Sequence, residues 1–193
     1  MIKANELSKR AREFVNVKTC YLKGAYGEAL TQAEYERLLK QYPDNAKYNN
    51  GSYAGTSVYP FDCICFVKFL CANGYVNNRI SYATLKAAPL GDCTTEAFMK
   101  GLTECVDPAN APAGYGLATS GHAAISLGNG MWIDANKNAS QNGIAIHTTG
   151  IERFTRAGKI KGIDYSTPEP VIPTERKILE QFASWLIEEY LNR

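Results

Sequence analysis

Two short stretches of this chain carry residue types that could do chemistry. Cys63 stands in Tyr59-Pro60-Phe61-Asp62-Cys63-Ile64-Cys65-Phe66-Val67-Lys68, and His122 in Ser120-Gly121-His122-Ala123-Ala124-Ile125-Ser126-Leu127-Gly128-Asn129-Gly130. The first reads as a cysteine at the start of a helix. The second reads as a histidine opening a strand that turns at Gly128-Asn129-Gly130. A cysteine attacks a carbonyl as the thiolate, and a helix N-terminus favours that form because unpaired backbone N–H groups and the helix dipole face it. The chain contains only 2 histidines, so a base for such a cysteine has few candidates. A cysteine nucleophile with a histidine base is the leading reading. The competing readings are a buried structural cysteine and a strand-edge histidine bonded to backbone.

An imidazole base needs a partner on its other ring nitrogen. Residues 122 and 134 lie twelve apart, which centres a hairpin on residue 128 and places Asp134 opposite His122 on one face. Asp134 is therefore the expected orienter, with Asn136 competing for that role. Acyl chemistry also needs an oxyanion donor, for which the Cys63 backbone N–H and a tyrosine hydroxyl are candidates. His147 is expected to face solvent from its strand, and Cys65 to pack, with a possible role as an oxidation partner of Cys63.

The elements that must position these groups follow from periodicity and capping. A first helix is expected over residues 5–16, capped by Asn5, with Leu7, Ala11, Phe14 and Val15 on one stripe. Thr31-Gln32-Ala33-Glu34 opens a second helix through Gln41, stopped by Pro43. Residues 44–60 read as a long loop leading to the cysteine. Residues 62–73 read as a buried third helix with Gly74 at its C-terminal turn, and Thr94 or Thr95 caps a further helix reaching Cys105. The period then changes. His122–Leu127, Met131–Asp134 and Gly143–Thr148 read as three strands. Helices first and an antiparallel sheet second define an α+β fold. Pro168, Pro170 and Pro173 mark a stiff linker over 166–173, followed by a C-terminal amphipathic helix over 174–193. That last helix either docks on the 1–165 domain or mediates self-association.

Composition narrows the function classes. Hydrophobic content of 45% and charged content of 21% are those of a globular domain, and a net charge of +2 gives no reason to expect a nucleic-acid partner. No apolar run is long enough to insert in a membrane. The N-terminal Met1-Ile2-Lys3-Ala4-Asn5 has no apolar region behind it that would form a signal peptide, so synthesis in a cytoplasm is expected. The cysteines, 6 in all, are then expected as reduced, mostly buried thiols. Cys63-Ile64-Cys65 is not a zinc-type spacing, and neither metal nor cofactor is expected.

Asp62-Cys63, Gly121-His122 and the later Asp134 resemble the NlpC-type family of papain-like cysteine peptidases, which cut bacterial peptidoglycan. The segment from Gly121 to Gly130 looks like the "GHVGIYIGNG" pattern of that family, and Cys20-Tyr21-Leu22-Lys23-Gly24 is similar to its "PYxWGG" segment. The resemblance covers roughly residues 8–150. It implies a papain-like fold, with the nucleophile at a helix start packed on an antiparallel sheet, and a Cys63–His122–Asp134 triad with Tyr21 as oxyanion donor. The implied activity is cleavage of a peptidoglycan stem-peptide bond or the muramoyl–alanine amide. The chain departs from the pattern in three places. Ile64-Cys65 replaces the usual Ser-Gly, the stretch between Tyr21 and Cys63 is much longer than usual, and the third position is more often His, Asn or Gln. Without a signal peptide, a phage endolysin made in the bacterial host cytoplasm and released onto the wall fits the resemblance. The alternatives are a secreted toxin effector, an acyltransferase or deamidase with the same dyad, and a catalytically silent wall-binding or phage structural protein.

Overall fold

Short oxygen-bearing side chains start four of the five α-helices among the described residues. Thr31 Oγ1 accepts from the Glu34 N–H at 3.1 Å, Asp62 Oδ1 from Cys65 N–H at 2.7 Å, Ser81 Oγ from Thr84 N–H at 3.1 Å and Thr94 Oγ1 from Ala97 N–H at 3.2 Å. Each bond satisfies a backbone donor that has no partner within the helix. The computed structural model describes residues 1–48, 50–137 and 143–166. Its helices are α1 (Ala4–Glu13), α2 (Gln32–Gln41), α3 (Cys63–Cys71), α4 (Tyr82–Ala87) and α5 (Thr95–Gly101). Its strands are β1 (Ile2–Lys3), β2 (Thr19–Tyr21), β3 (Tyr59–Phe61), β4 (Thr103–Val106), β5 (Gly116–Thr119), β6 (His122–Gly128), β7 (Met131–Asn136), β8 (Gly143–His147), β9 (Arg156–Lys159) and β10 (Ile163–Asp164).

The architecture is mixed α+β. An antiparallel sheet of six strands runs in the order β4-β9-β5-β6-β7-β8. Helix α3 packs against β6 and β7 of that sheet, and every one of its residues is buried. The main core fills this interface with Ile64, Phe66, Val67 and Leu70 from the helix and Ala123, Ile125, Leu127, Ile133 and Ala135 from the sheet. Phe14, fully buried, meets Tyr59, Phe61, Phe66 and Phe69 edge-on at 5.4–5.7 Å. Edge-to-face contact of this kind is the favoured arrangement of aromatic quadrupoles.

Several expectations are corrected by these elements. Asn5 lies inside α1, whose N-cap is Lys3, and its Oδ1 accepts from the Glu6 N–H at 2.8 Å. At the end of α3 the left-handed residue is Asn73 (φ 68°), not Gly74. The Gly74 N–H reaches the Phe69 carbonyl and the Asn73 N–H that of Leu70, a Schellman closure. Gly74 is required for a different reason, since a Cβ there would come within 2.4 Å of the Phe69 ring. Helix α5 stops at Gly101, and Cys105 belongs to β4. The stretch 44–60 carries two 3-10 turns, Pro43–Tyr48 and Asn50–Tyr53, before entering β3. The linker and C-terminal helix expected over 166–173 and 174–193 lie, past Ser166, outside the described residues. Among the described residues no helix is long and apolar enough to cross a membrane.

Candidate active site

Cys63 occupies the first position of α3, directly after the capping Asp62. The capping carboxylate has a second task. While Oδ1 holds Cys65 N–H, Oδ2 accepts from the Gly24 N–H at 2.8 Å, tying the loop after β2 to the start of the helix. Backbone bonds Leu22 N to Phe61 O, Gly27 N to Pro60 O and Asp62 N to Ala25 O fasten the same loop. Gly24 must be glycine here: its φ is +84° and a Cβ would come within 2.3 Å of the Tyr42 ring.

Tyr21 arrives beside Cys63 through parallel pairing of β2 with β3, in the register Tyr21 opposite Phe61. Parallel strands demand a long crossover, and here it contains α2. The crossover has its own small core of Cys20, Leu22, Ala25, Leu30, Leu38 and Val58. The long separation between Tyr21 and Cys63 in sequence is therefore a folded excursion that returns to the same place. Burial, followed by the nearby Cys63 and Asp62, pushes the Tyr21 hydroxyl pKa well up, so it stays a phenol able to donate. Tyr21 packs edge-on against Tyr48 at 5.2 Å.

His122 opens β6. Its Nε2 lies 2.6 Å from Asp134 Oδ2, and Cys63 stands near enough to favour the charged form of the ring. The Cys63 Sγ also lies 3.9 Å from the Gly121 carbonyl. Burial disfavours a charged imidazole, but the bond to Asp134 and the contact with Cys63 outweigh it and raise the His122 pKa to about 9. Asp134 is fully buried. Burial alone would raise its pKa, yet the donors from His122, His147 and Asn136 hold it below the ordinary carboxylate value.

The register that brings His122 to Asp134 differs from the one expected. Gly128 pairs with Met131 across a two-residue turn at Asn129 (φ 54°) and Gly130 (φ 71°), the positive-φ pair that a type I′ hairpin requires. A bulge then inserts an extra residue, and beyond it Ser126 pairs with Trp132 and Ile125 with Ile133. Continued along the strands, that register sets Asp134 opposite Ala124 and diagonal to His122. The expected pairing was two residues out, and a shift of two keeps the same face.

His147, expected to face solvent, belongs to the site. Its Nε2 lies 2.9 Å from Asp134 Oδ1, and its ring stacks on Trp132 at 3.9 Å. Asn136 does not displace Asp134 as orienter. Its Nδ2 donates to Asp134 Oδ1 at 2.8 Å, which makes it a support of the carboxylate. Sequence reasoning also missed Phe154, whose ring stacks on His122 at 6.0 Å and meets Trp132 edge-on at 4.9 Å. Its position in a short turn, outside any periodic segment, gives no local signal for that contact.

Cys63 lines a cavity of about 730 Å³ together with Tyr21, Tyr26, Tyr82 and Gly121. Two ion pairs stand in its wall: Glu34 with Arg37 at 2.5 Å, and Lys68 with Asp92 at 2.6 Å. The Tyr82 hydroxyl donates to the other oxygen of Asp92 at 2.5 Å. Cys65 lies in the same wall with a thiol pKa raised well above normal by burial, and so kept protonated. The arrangement as a whole offers a thiol and hydrogen-bond donors lining one cavity, with an imidazole backed by a buried carboxylate beside the thiol. Comparison with protein-family models, with curated proteins and with solved structures returns no match to this chain.

Proposed function

We propose that the protein is a cysteine amidase of papain-like architecture that hydrolyses an amide bond in bacterial peptidoglycan, either in the stem peptide or at the muramoyl–alanine link. The observation that carries the chemistry is the group Cys63, His122, Asp134, in which a thiol at a helix N-terminus stands near an imidazole whose Nε2 lies 2.6 Å from a buried carboxylate. The support for a papain-like fold is the buried α3 seated on β6 and β7 of the antiparallel sheet, with the nucleophile at the helix start. The support for a wall substrate is the likeness of Asp62-Cys63 and the Gly121–Gly130 segment to the NlpC-type pattern. A cavity wall holding both signs of charge also suits a peptide that carries carboxylate and ammonium groups.

In this reading His122 takes the Cys63 proton, and Asp134 stabilises the resulting imidazolium. The thiolate attacks the amide carbon, and the Tyr21 hydroxyl with the Cys63 backbone N–H binds the oxyanion. His122 returns its proton to the leaving amine as the C–N bond breaks. Water then attacks the thioester with His122 again as base, which frees the acid and restores the thiol. The protein would be made in a bacterial cytoplasm and act after release onto the wall, as a phage endolysin does.

The test is release of new amino groups from purified peptidoglycans of several chemotypes under reducing conditions. Wild type is expected to release them and Cys63→Ala to release none, with fragment masses naming the bond. Equal release by both proteins would contradict a cysteine mechanism.

A further inference from the structure

The geometry points to His147 as a positioning residue for this site, an inference that rests on reading Cys63 and His122 as nucleophile and base. Asp134 has no exposed surface, and the ends of its carboxylate have different partners. Oδ2 faces His122 at 2.6 Å, while Oδ1 takes His147 Nε2 at 2.9 Å and Asn136 Nδ2 at 2.8 Å. A buried carboxylate stays ionised only while donors compensate its lost hydration. At 2.9 Å from a carboxylate oxygen, Nε2 of His147 must carry a proton. The 3.2 Å approach of Asn136 Nδ2 to that nitrogen is then donor beside donor, both aimed at the same acceptor.

The sheet holds His147 in this pose. In β8 it pairs with Trp132, and Asp134 pairs with Ala145, so His147 lies diagonal to Asp134 on a shared face. Its ring lies nearly flat on the Trp132 indole, with 16° between the planes. The indole is itself fixed, since Trp132 Nε1 donates to the Thr149 carbonyl at 3.0 Å and the Arg153 guanidinium sits 5.3 Å over the ring. His147 thus has one free variable, the proton on Nε2, and it spends that proton on the oxygen of Asp134 that His122 does not use. Without this donor the carboxylate turns or takes up a proton. Either change withdraws the acceptor that stabilises the His122 imidazolium, and the Cys63 thiolate loses its counter-ion.

The test is alkylation of Cys63 by iodoacetamide at neutral pH, read by peptide mass spectrometry, which requires no substrate. His122→Ala fixes the scale of the base effect. His147→Phe keeps a ring to stack on Trp132 but lacks the donor, and His147→Gln replaces the donor with an amide N–H. Alkylation is expected to slow on the order of tenfold in His147→Phe, the loss of one hydrogen bond to a charged group, and to recover most of that in His147→Gln. If His147→Phe fails to fold, Asn136→Ala removes the other Oδ1 donor and must slow alkylation in the same direction. A wild-type rate in His147→Phe beside a slow His122→Ala would overturn the inference and leave the dyad standing. Equal slowing in the Phe and Gln variants would also overturn it, by assigning His147 a packing role. A wild-type rate in His122→Ala would remove the dyad itself, and the inference with it.

Discussion

His122 and Asp134 share a face of the sheet because one extra residue bulges out of β6. The turn pairs Gly128 with Met131, and an unbroken ladder from that pair would set Asp134 opposite Ile125 and point His122 to the other side. The bulge between Ser126 and Gly128 changes the parity, so that Ile125 meets Ile133 in the core and the two polar residues meet on the opposite face. One irregularity serves both the packing and the site.

That relationship makes Gly128 sensitive. Its φ of +80° is costly for any residue with a Cβ, although the space is open, the nearest atom being the Ala113 nitrogen at 3.5 Å. Gly128→Ala should therefore cost backbone strain alone, about 1 kcal/mol. For a chain of this size that is a fall in melting temperature of roughly 2–4 °C. Calorimetry checks it.

The His122 pKa, raised to about 9, should be directly visible by NMR titration of the imidazole. Both Asp134→Asn and Cys63→Ala should move it down, since each removes a group that favours the charged ring. The stability consequence has a definite sign. A pKa raised in the folded state stabilises fully below the unfolded value of about 6.5 and is lost as pH rises through about 9. Melting temperature should therefore decline across that window in wild type and decline less in His122→Ala.

Tyr21→Phe separates oxyanion binding from nucleophile activation. Loss of one oxyanion donor costs about a hundredfold in turnover. Amide hydrolysis should fall by that order with KM little changed, while Cys63 alkylation keeps its wild-type rate. Parallel measurements on the one variant check both halves.

Asp62→Ala should lose both the α3 cap and the anchor of Gly24. A lost N-cap costs about 1 kcal/mol, and the loop carrying Tyr21 should loosen with it. Hydrogen exchange of the Gly24 and Cys65 amides, faster in the variant, would report the two effects separately.

Much of the helical half was legible because its signals are local. Thr31 caps the helix that its spacing announces, Thr94 rather than Thr95 caps α5, and the largely apolar character of α3, interrupted by Lys68, matches its complete burial. The hairpin was legible from Gly128-Asn129-Gly130, but its register was not, because a bulge leaves no mark in the alternation of Ala123-Ala124-Ile125-Ser126-Leu127. Strands β5 and β9, Gly116–Thr119 and Arg156–Lys159, are short and contain glycine and alanine, so only their neighbours in the sheet define them. His147 shows the limit most clearly. Its strand was expected, yet which side chain it meets depends on the pairing of β8 with β7, and that pairing is a long-range fact.

The most direct test of the central claim is to catch the acyl group on the nucleophile. Wild-type protein mixed with soluble muropeptides and quenched in acid during turnover is digested and weighed by mass spectrometry. A thioester on Cys63, with a mass equal to the acyl part of the cleaved substrate and absent from Cys63→Ala, is the predicted result. Steady turnover that depends on His122 yet leaves Cys63 unmodified at every quench time, with Cys63→Ala still active, would contradict it.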